Sequence, residues 1–259
     1  MLFRSNRVVQ HATENVLPQV MTLDDIALVC HTNESFAPML MSFGKFGVDA
    51  NMLLAFSYSG SAICTENEAM EKELWSEQAG QQSWVDIAQD ARIAQQLLNR
   101  DAGKRQMLAY EHAAKYLQNN YQYDIGEGRC PALKTDPEQL LLLIAATSAL
   151  QALQNDVASG RLVDVDMALP PKVARAMNCL DNEKWWGEPK ALQAGFRVIL
   201  PKDAADEAQL PVHHHDLAVH APQQVQPLAQ ETAARVKDAK VHPCLHQAAD
   251  KLVRQIGRA

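Results

Sequence analysis

The stretch DPEQLLLLIAATSALQAL, residues 136–153, decides the expected fold. From Leu140 to Leu153 it is apolar on nearly every side of a helical wheel, whereas a helix at a protein surface carries one apolar stripe. Asp136 is expected to be the N-cap and Pro137 the first helical residue, because these residue types favour those positions. We therefore expect a central helix that other helices cover on several sides.

The rest of the chain shows the apolar spacing of amphipathic helices. The clearest case is residues 245–256, where apolar side chains recur at i, i+3, i+4, i+7, i+8 and i+11. Residues 20–40 are interpreted as one helix that is interrupted near Pro38. The remaining predicted helices are 51–63, 84–98, 110–121, 173–180 and 192–199. Residues 196–200 resemble a short strand but continue a helical pattern, so the predicted fold class is all-α, a bundle or array of helical hairpins.

The domain organisation follows from where the helical pattern fails. Residues 201–227 contain four spaced prolines, which resist helix and strand, and they are expected to form an irregular loop or lid. A C-terminal helical pair is expected at 228–257. We expect a single all-α domain over residues 1–259, with at most degenerate repeats of tetratricopeptide type, since no strict period is found.

Composition excludes some functions. The 259 residues include 24 Lys and Arg against 31 Asp and Glu, which gives a net charge of −7. Binding to a nucleic-acid backbone needs clustered cations that displace counterions, so a nucleic-acid partner is not expected. The five cysteines lack CxxC spacing, which favours small apolar side chains in the core, although one or two disulfides could form if the protein is exported. The cysteines are Cys30, Cys64, Cys130, Cys179 and Cys244.

Motifs for catalysis and metal binding are weak. The chain has no Gly-x-Ser-x-Gly elbow, Walker loop or GxGxxG motif, so we expect a protein that is not an enzyme and has no cofactor. The cluster His213, His214, His215, Asp216 and His220 contains ligand types that suit zinc, nickel or copper. Three adjacent side chains do not readily converge on one ion, so a solvated loop is the preferred interpretation.

Aromatic residues near helix ends predict a binding site instead. Large rings at such positions can line the apolar cleft that a small ligand needs. Trp185 and Trp186 are adjacent, so both cannot face the same core if they lie in a helix. The predicted ligand-binding residues are Trp185, Trp186, Tyr121, Tyr123 and Phe46.

Several of these features occur in a familiar order. The all-apolar helix is followed by Asn155-Asp156, by the stretch LPPKVARAMNCLD at 169–181, and by the corner Trp186-Gly187-Glu188-Pro189. A helix with Gly195 near its centre then ends at Pro201. This order resembles the T-component (TatT-like) family associated with TRAP transporters, over about residues 45–259.

The resemblance implies a fold and a function. It implies cryptic tetratricopeptide-like hairpins, a periplasmic location, no catalysis, often a trimer, and pairing with a periplasmic solute-binding protein. The predicted function is therefore to hold or pass a hydrophobic ligand, such as a fatty acid, sterol or other lipid. Two alternatives stay open: a protein–protein interaction scaffold without a small-molecule ligand, or a metal-binding protein that uses residues 213–220.

Overall fold

The computed structural model describes residues 7 and 9–199 of the chain. An N-terminal segment, residues 9–21, contains a π-helical turn at Ala12–Val16 and the short helix α1. The predicted loop at 201–227, the C-terminal helical pair at 228–257 and the histidine cluster all lie outside the described residues. The helices are α1 Leu17–Met21, α2 Ile26–Phe43, α3 Asn51–Gln81, α4 Val85–Tyr121, α5 Asp136–Ala158, α6 Leu169–Ala176 and α7 Glu188–Ile199.

The described part of the chain is mostly helical and contains no strand, which confirms the all-α prediction. From α2 to α5 each helix packs against its neighbours in the chain, most extensively α3 against α4, and α6 and α7 pack against α5 and each other. Helices α3 and α4, of 31 and 37 residues, form one long hairpin. A tetratricopeptide repeat places two helices within 34 residues, whereas α3 and α4 are each about that long alone. Repeats of that type are not confirmed.

Helix α5 is the central helix that the apolar stretch predicts. Leu141, Leu142 and Leu143 are completely buried, and the apolar side chains of α3, α4, α6 and α7 surround the helix. By length and composition α5 could cross a membrane, but 78% of its apolar window is buried inside the protein, as in the core helix of a folded domain. The N-cap is Thr135, one residue earlier than expected, because Thr135 and Glu138 form a reciprocal capping box.

The break between the first helices lies elsewhere than predicted. The chain leaves the helical conformation after Met21, and α2 begins where the Asp25 side chain accepts a hydrogen bond from the Leu28 amide. Pro38 lies inside α2 without ending it. Pro38 is exposed, so water can bond the backbone carbonyl that the proline leaves without its helical partner.

The link between α5 and α6 is organised by one buried carboxylate. Asp156 is completely buried and accepts hydrogen bonds from the backbone amides of Val163, Asp164 and Val165, at 2.9 to 3.3 Å. Arg161 adds an ion pair at 3.2 Å. These bonds hold the 159–168 link against the end of α5 and so set the position of α6.

Candidate functional site

The two predicted tryptophans lie in a tight corner between α6 and α7, and the structure separates them. Trp185 is 7% exposed, and its indole nitrogen donates to Oε1 of Gln139 at 3.2 Å. Trp186 is 67% exposed and meets the Trp185 ring edge-on, with the ring centroids 6.3 Å apart. Trp186 and Gly187 both have positive φ, which turns the chain so that the second ring points to solvent. Of the pair, Trp185 belongs to the core.

The predicted tyrosines lie at the end of α4. Tyr123 is buried, and its hydroxyl accepts a hydrogen bond from the Gly126 amide at 3.0 Å. Tyr121 is half-buried, and burial together with a hydrogen bond to Glu138 raises its pKa to about 12. Both line an open cleft of about 540 Å³ formed by residues 119–123 and 127–132. The lining of this cleft is mainly amide, charged and backbone groups, so its chemistry does not suit an apolar ligand.

The first turn of α5 connects these aromatic residues. Tyr121 contacts Glu138, and Trp185 contacts the next residue, Gln139. The structure does not describe the side chain of Phe46, the fifth predicted residue. Of the predicted aromatic residues, Tyr121 and Trp185 therefore contact the first turn of α5, and Tyr121 and Tyr123 share the polar cleft, which neither tryptophan lines.

A partly buried carboxyl lies beside the tryptophan corner. Glu188 is the first residue of α7, and burial raises its pKa to about 7. A carboxyl with such a pKa exchanges its proton near neutral pH, which is typical of functional sites but is also found in purely structural positions. The sequence offered no signal for it, because the shift depends on packing.

A second candidate site lies under the N-terminal segment, and the sequence did not predict it. Two small cavities of about 60 Å³ each lie between this segment and helices α2, α3 and α5. They share four lining residues, so they are two parts of one groove, which we call the N-terminal groove. The shared residues are Leu17, Val20, Asn33 and Phe56.

The N-terminal groove is mainly apolar, and its polar lining residues are Thr32, Asn33, Ser57 and Ser59. Asn33 is the polar side chain that lines both cavities, and its amide nitrogen donates to the Val29 carbonyl. Gly60 has no side chain at the point where Asn33 lies against α3, and a Cβ there would collide with the Asn33 amide. The other lining residues include Met21, Val29, Phe36, Leu40, Leu53, Leu140 and Ile144.

The N-terminal segment covers this groove loosely. Its side chains Leu17 and Met21 contact the main core, and Val9 and Ala12 contact the smaller cluster around Leu40. No residue of Ala12–Val16 or Leu17–Met21 is fully buried. The segment is thus a cover with a modest apolar contact, and its removal would expose the groove along its length.

Four cysteines are paired, which corrects the expectation that they are small core side chains. Cys30 and Cys64 join α2 to α3, with their Cα atoms 5.9 Å apart. Cys130 and Cys179 join the α4–α5 link to the turn after α6, with their Cα atoms 5.3 Å apart. Among the described residues, His31 forms with Cys30 and Cys64 a group of metal-ligand spacing, but both sulfurs are used in the disulfide.

Known proteins offer no identification. Comparison with protein-family models, with curated proteins and with solved structures finds no match for this chain.

Proposed function

We propose that the protein is an exported, non-enzymatic helical binding protein that holds an elongated hydrophobic molecule in the N-terminal groove. The observation that carries this proposal is the pair of contiguous apolar cavities that share Leu17, Val20, Asn33 and Phe56. Apolar walls exclude water from such a ligand, and a few polar groups orient its head group. The Asn33 amide is the group placed to do so.

The size of the groove indicates how a ligand would enter. Each cavity of about 60 Å³ is far below the roughly 300–1,000 Å³ of typical ligand pockets. A fatty acid, sterol or other lipid would therefore take the place of side chains that the N-terminal segment now puts in the groove. Because no residue of Ala12–Val16 or Leu17–Met21 is fully buried, that exchange removes little apolar contact from the protein.

The disulfides support the proposed location. Stable disulfides are typical of the periplasm and other oxidising compartments and are rare in the cytosol. Two disulfides in one chain therefore favour export. A periplasmic solute-binding protein as the partner that delivers or receives the ligand, and a trimeric assembly, are part of the proposal because the sequence resembles the T-component family.

Binding of cis-parinaric acid, a fluorescent fatty acid, tests the site. We expect saturable binding to the wild type and at least a tenfold weaker affinity after Ser59→Leu, because Ser59 lines the groove and a leucine fills it. Ser35→Leu is the matched control, since Ser35 is exposed on α2. Equal affinity of Ser59→Leu and the wild type would reject the groove, and loss of binding in Trp186→Ala would move the site to the tryptophan corner.

Native mass spectrometry of untagged protein provides a second readout. A co-purified apolar molecule in stoichiometric amount, identified after organic extraction, would support the proposal. Ligand-free protein that also fails to bind the fluorescent fatty acid would contradict it. If the proposal is contradicted in this way, a protein–protein interaction scaffold becomes the favoured function, because the far end of the α3–α4 hairpin exposes large apolar side chains.

A further inference from the structure

Three side chains of metal-binding type meet where α2 packs on α3. Cys30 and His31 are neighbours on α2, and Cys64 lies on α3. The two sulfurs and one ring nitrogen of His31 all lie within 4.8 Å of one another. In the oxidised protein the sulfurs form the Cys30–Cys64 disulfide. Because a metal ion binds thiolates, the set of three ligands is complete only after that bond is reduced.

The histidine of this cluster has a carboxylate partner. Glu34 lies one turn further along α2, and its Oε2 is 3.2 Å from Nδ1 of His31. Carboxylates that accept a hydrogen bond from a metal-bound imidazole orient the ring and raise its basicity as a ligand. Two thiolates and one imidazole are ligands that suit zinc, and they leave the fourth position of a tetrahedral ion to water.

Arg105 on α4 holds the helices of the cluster together by bonds that do not involve sulfur. Its guanidinium forms an ion pair with Glu34 on α2 at 2.6 Å. It also donates to the Ser61 carbonyl and to the Thr65 hydroxyl on α3, at 2.7 and 2.8 Å. Ser61 and Thr65 flank Cys64 in the sequence. We therefore expect α2 and α3 to keep their positions when the disulfide opens.

The cluster has room and access for an ion. The Cα atoms of the two cysteines are 5.9 Å apart, so side-chain rotation can bring the freed sulfurs to the roughly 3.8 Å spacing of two thiolates on one tetrahedral zinc ion. Cys30 is completely buried, Cys64 is half-buried and His31 is exposed, so one side of the cluster is open to solvent. Two thiolates also neutralise the charge of the ion, which lowers the cost of holding it next to a buried residue.

We propose that Cys30, Cys64 and His31 bind a zinc ion when the disulfide is reduced and release it when the disulfide forms again. A dithiol supplies the two electrons: one of its thiolates attacks the more accessible sulfur, that of Cys64, and its second thiolate resolves the mixed disulfide. The reductant leaves as a disulfide and the protein gains two thiols, whose protons zinc displaces. Oxidation by another disulfide reverses both steps.

The second disulfide provides an internal comparison. Within the described part of the chain no His, Asp or Glu lies at ligand spacing from both Cys130 and Cys179, so their reduction yields two thiols without a third ligand. The zinc site is also independent of the proposed ligand function, because Cys30, His31 and Cys64 do not line the N-terminal groove.

Cobalt(II) in place of zinc tests the site, because thiolate ligands give it a charge-transfer absorption that histidines alone do not. The full chain with Cys244→Ser, which removes the fifth thiol, is reduced with dithiothreitol and separated from it without oxygen. We expect stoichiometric cobalt binding with thiolate absorption, displacement by zinc, and no such absorption in the oxidised protein. His31→Ala should weaken binding at least roughly tenfold. His11→Ala, at an exposed histidine outside the cluster, should leave it unchanged.

Serine variants of the two cysteine pairs locate the site. Cys30→Ser/Cys64→Ser should abolish the thiolate absorption, whereas Cys130→Ser/Cys179→Ser should retain it. The inference is overturned if the reduced protein shows no thiolate absorption, or if the absorption survives Cys30→Ser/Cys64→Ser. An affinity for cobalt that His31→Ala does not change would also overturn it, since the histidine would then not be a ligand.

Discussion

At the scale of single residues, Trp185 and Trp186 show how backbone conformation separates two identical neighbours. Trp186 has a φ of 50° and Gly187 a φ of 85°. The chain therefore reverses its direction between Trp185 and the start of α7. Trp185 fills the core between α5 and α7, while Trp186 makes an edge contact with it from the outside. The two side chains should therefore differ sharply in their contribution to stability.

Alanine substitution at each position measures that difference. Trp185→Ala should lower the free energy of unfolding by about 3–5 kcal/mol, because it leaves a cavity in the core and removes the donor to Gln139. Trp186→Ala should change it by no more than ~0.5 kcal/mol. Urea unfolding followed by circular dichroism gives both values. Similar losses in the two variants would show that Trp186 is covered in solution.

The sequence predicted that one tryptophan must leave the core, but not which one. That choice depends on the left-handed turn at Trp186, and only Gly187 hints at such a turn in the sequence. The aromatic residues were likewise expected to share a cleft, whereas Tyr121 and Tyr123 line a polar cleft to which the tryptophans do not contribute. Chain reversals and side-chain directions of this kind are decided by tertiary packing.

At the scale of elements, the start of α5 depends on a carboxylate. Glu138 accepts hydrogen bonds from the backbone amides of Thr135 and Lys134, both at 2.9 Å, and contacts the hydroxyls of Tyr116 and Tyr121. Burial raises the pKa of Glu138, but the hydrogen bonds from Tyr121, Thr135 and Lys134 outweigh burial and hold the pKa below its usual 4.5. The ionised form of Glu138 therefore stabilises the folded protein.

Glu138→Gln tests this dependence through pH. Because the folded-state pKa is lowered, the stabilisation is fully present above pH 4.5 and is lost as the pH falls and the folded carboxylate is protonated. We expect the variant to be less stable than the wild type by about 1–2 kcal/mol at pH 7 and equally stable in strong acid. Thermal unfolding of the variant and the wild type across pH 2–7 measures this difference in stability. Glu111→Gln, which changes an exposed carboxylate, is the control. A difference that does not change with pH would contradict the prediction.

Helical periodicity predicted most elements but divided α4. Residues 84–98 and 110–121 were expected as separate helices, because polar residues interrupt the apolar stripe between them. The structure shows that two of these residues, Asn99 and Gln106, are buried. Gln106 donates to Glu66 at 2.9 Å and accepts from Asn155 at 2.8 Å. A core position filled by a satisfied amide cannot be recognised from hydrophobicity alone.

At the scale of the whole molecule, the N-terminal groove has no signature in the sequence. Its walls come from residues as distant as Leu17, Phe56 and Ile144, each of which reads as ordinary helix core. The cysteines pose the same problem, since five of them allow many pairings and spacing alone does not select one. The all-α class could be predicted because it depends on local periodicity, whereas both of these features depend on how distant segments meet.

The two disulfides tie together segments that are far apart in the sequence. Cys130–Cys179 closes a stretch with a sequence separation of 49 that contains all of α5 and α6, and Cys30–Cys64 closes one of 34 around the turn from α2 to α3. A cross-link lowers the entropy of the unfolded chain, and longer loops lower it more. For loops of these lengths the expected stabilisation is about 4 kcal/mol each before any native-state strain.

Removal of each pair should therefore destabilise the protein strongly. We expect Cys130→Ala/Cys179→Ala and Cys30→Ala/Cys64→Ala each to lower the free energy of unfolding by about 2–4 kcal/mol. Reduction of the wild type should reproduce the combined loss of stability, whereas it should have no effect on a variant that lacks both pairs.

Thiol titration of the denatured, unreduced protein should find one thiol, because four of the five cysteines are paired. Five reactive thiols in protein isolated from an oxidising compartment would contradict both the pairing and the argument for export that depends on it.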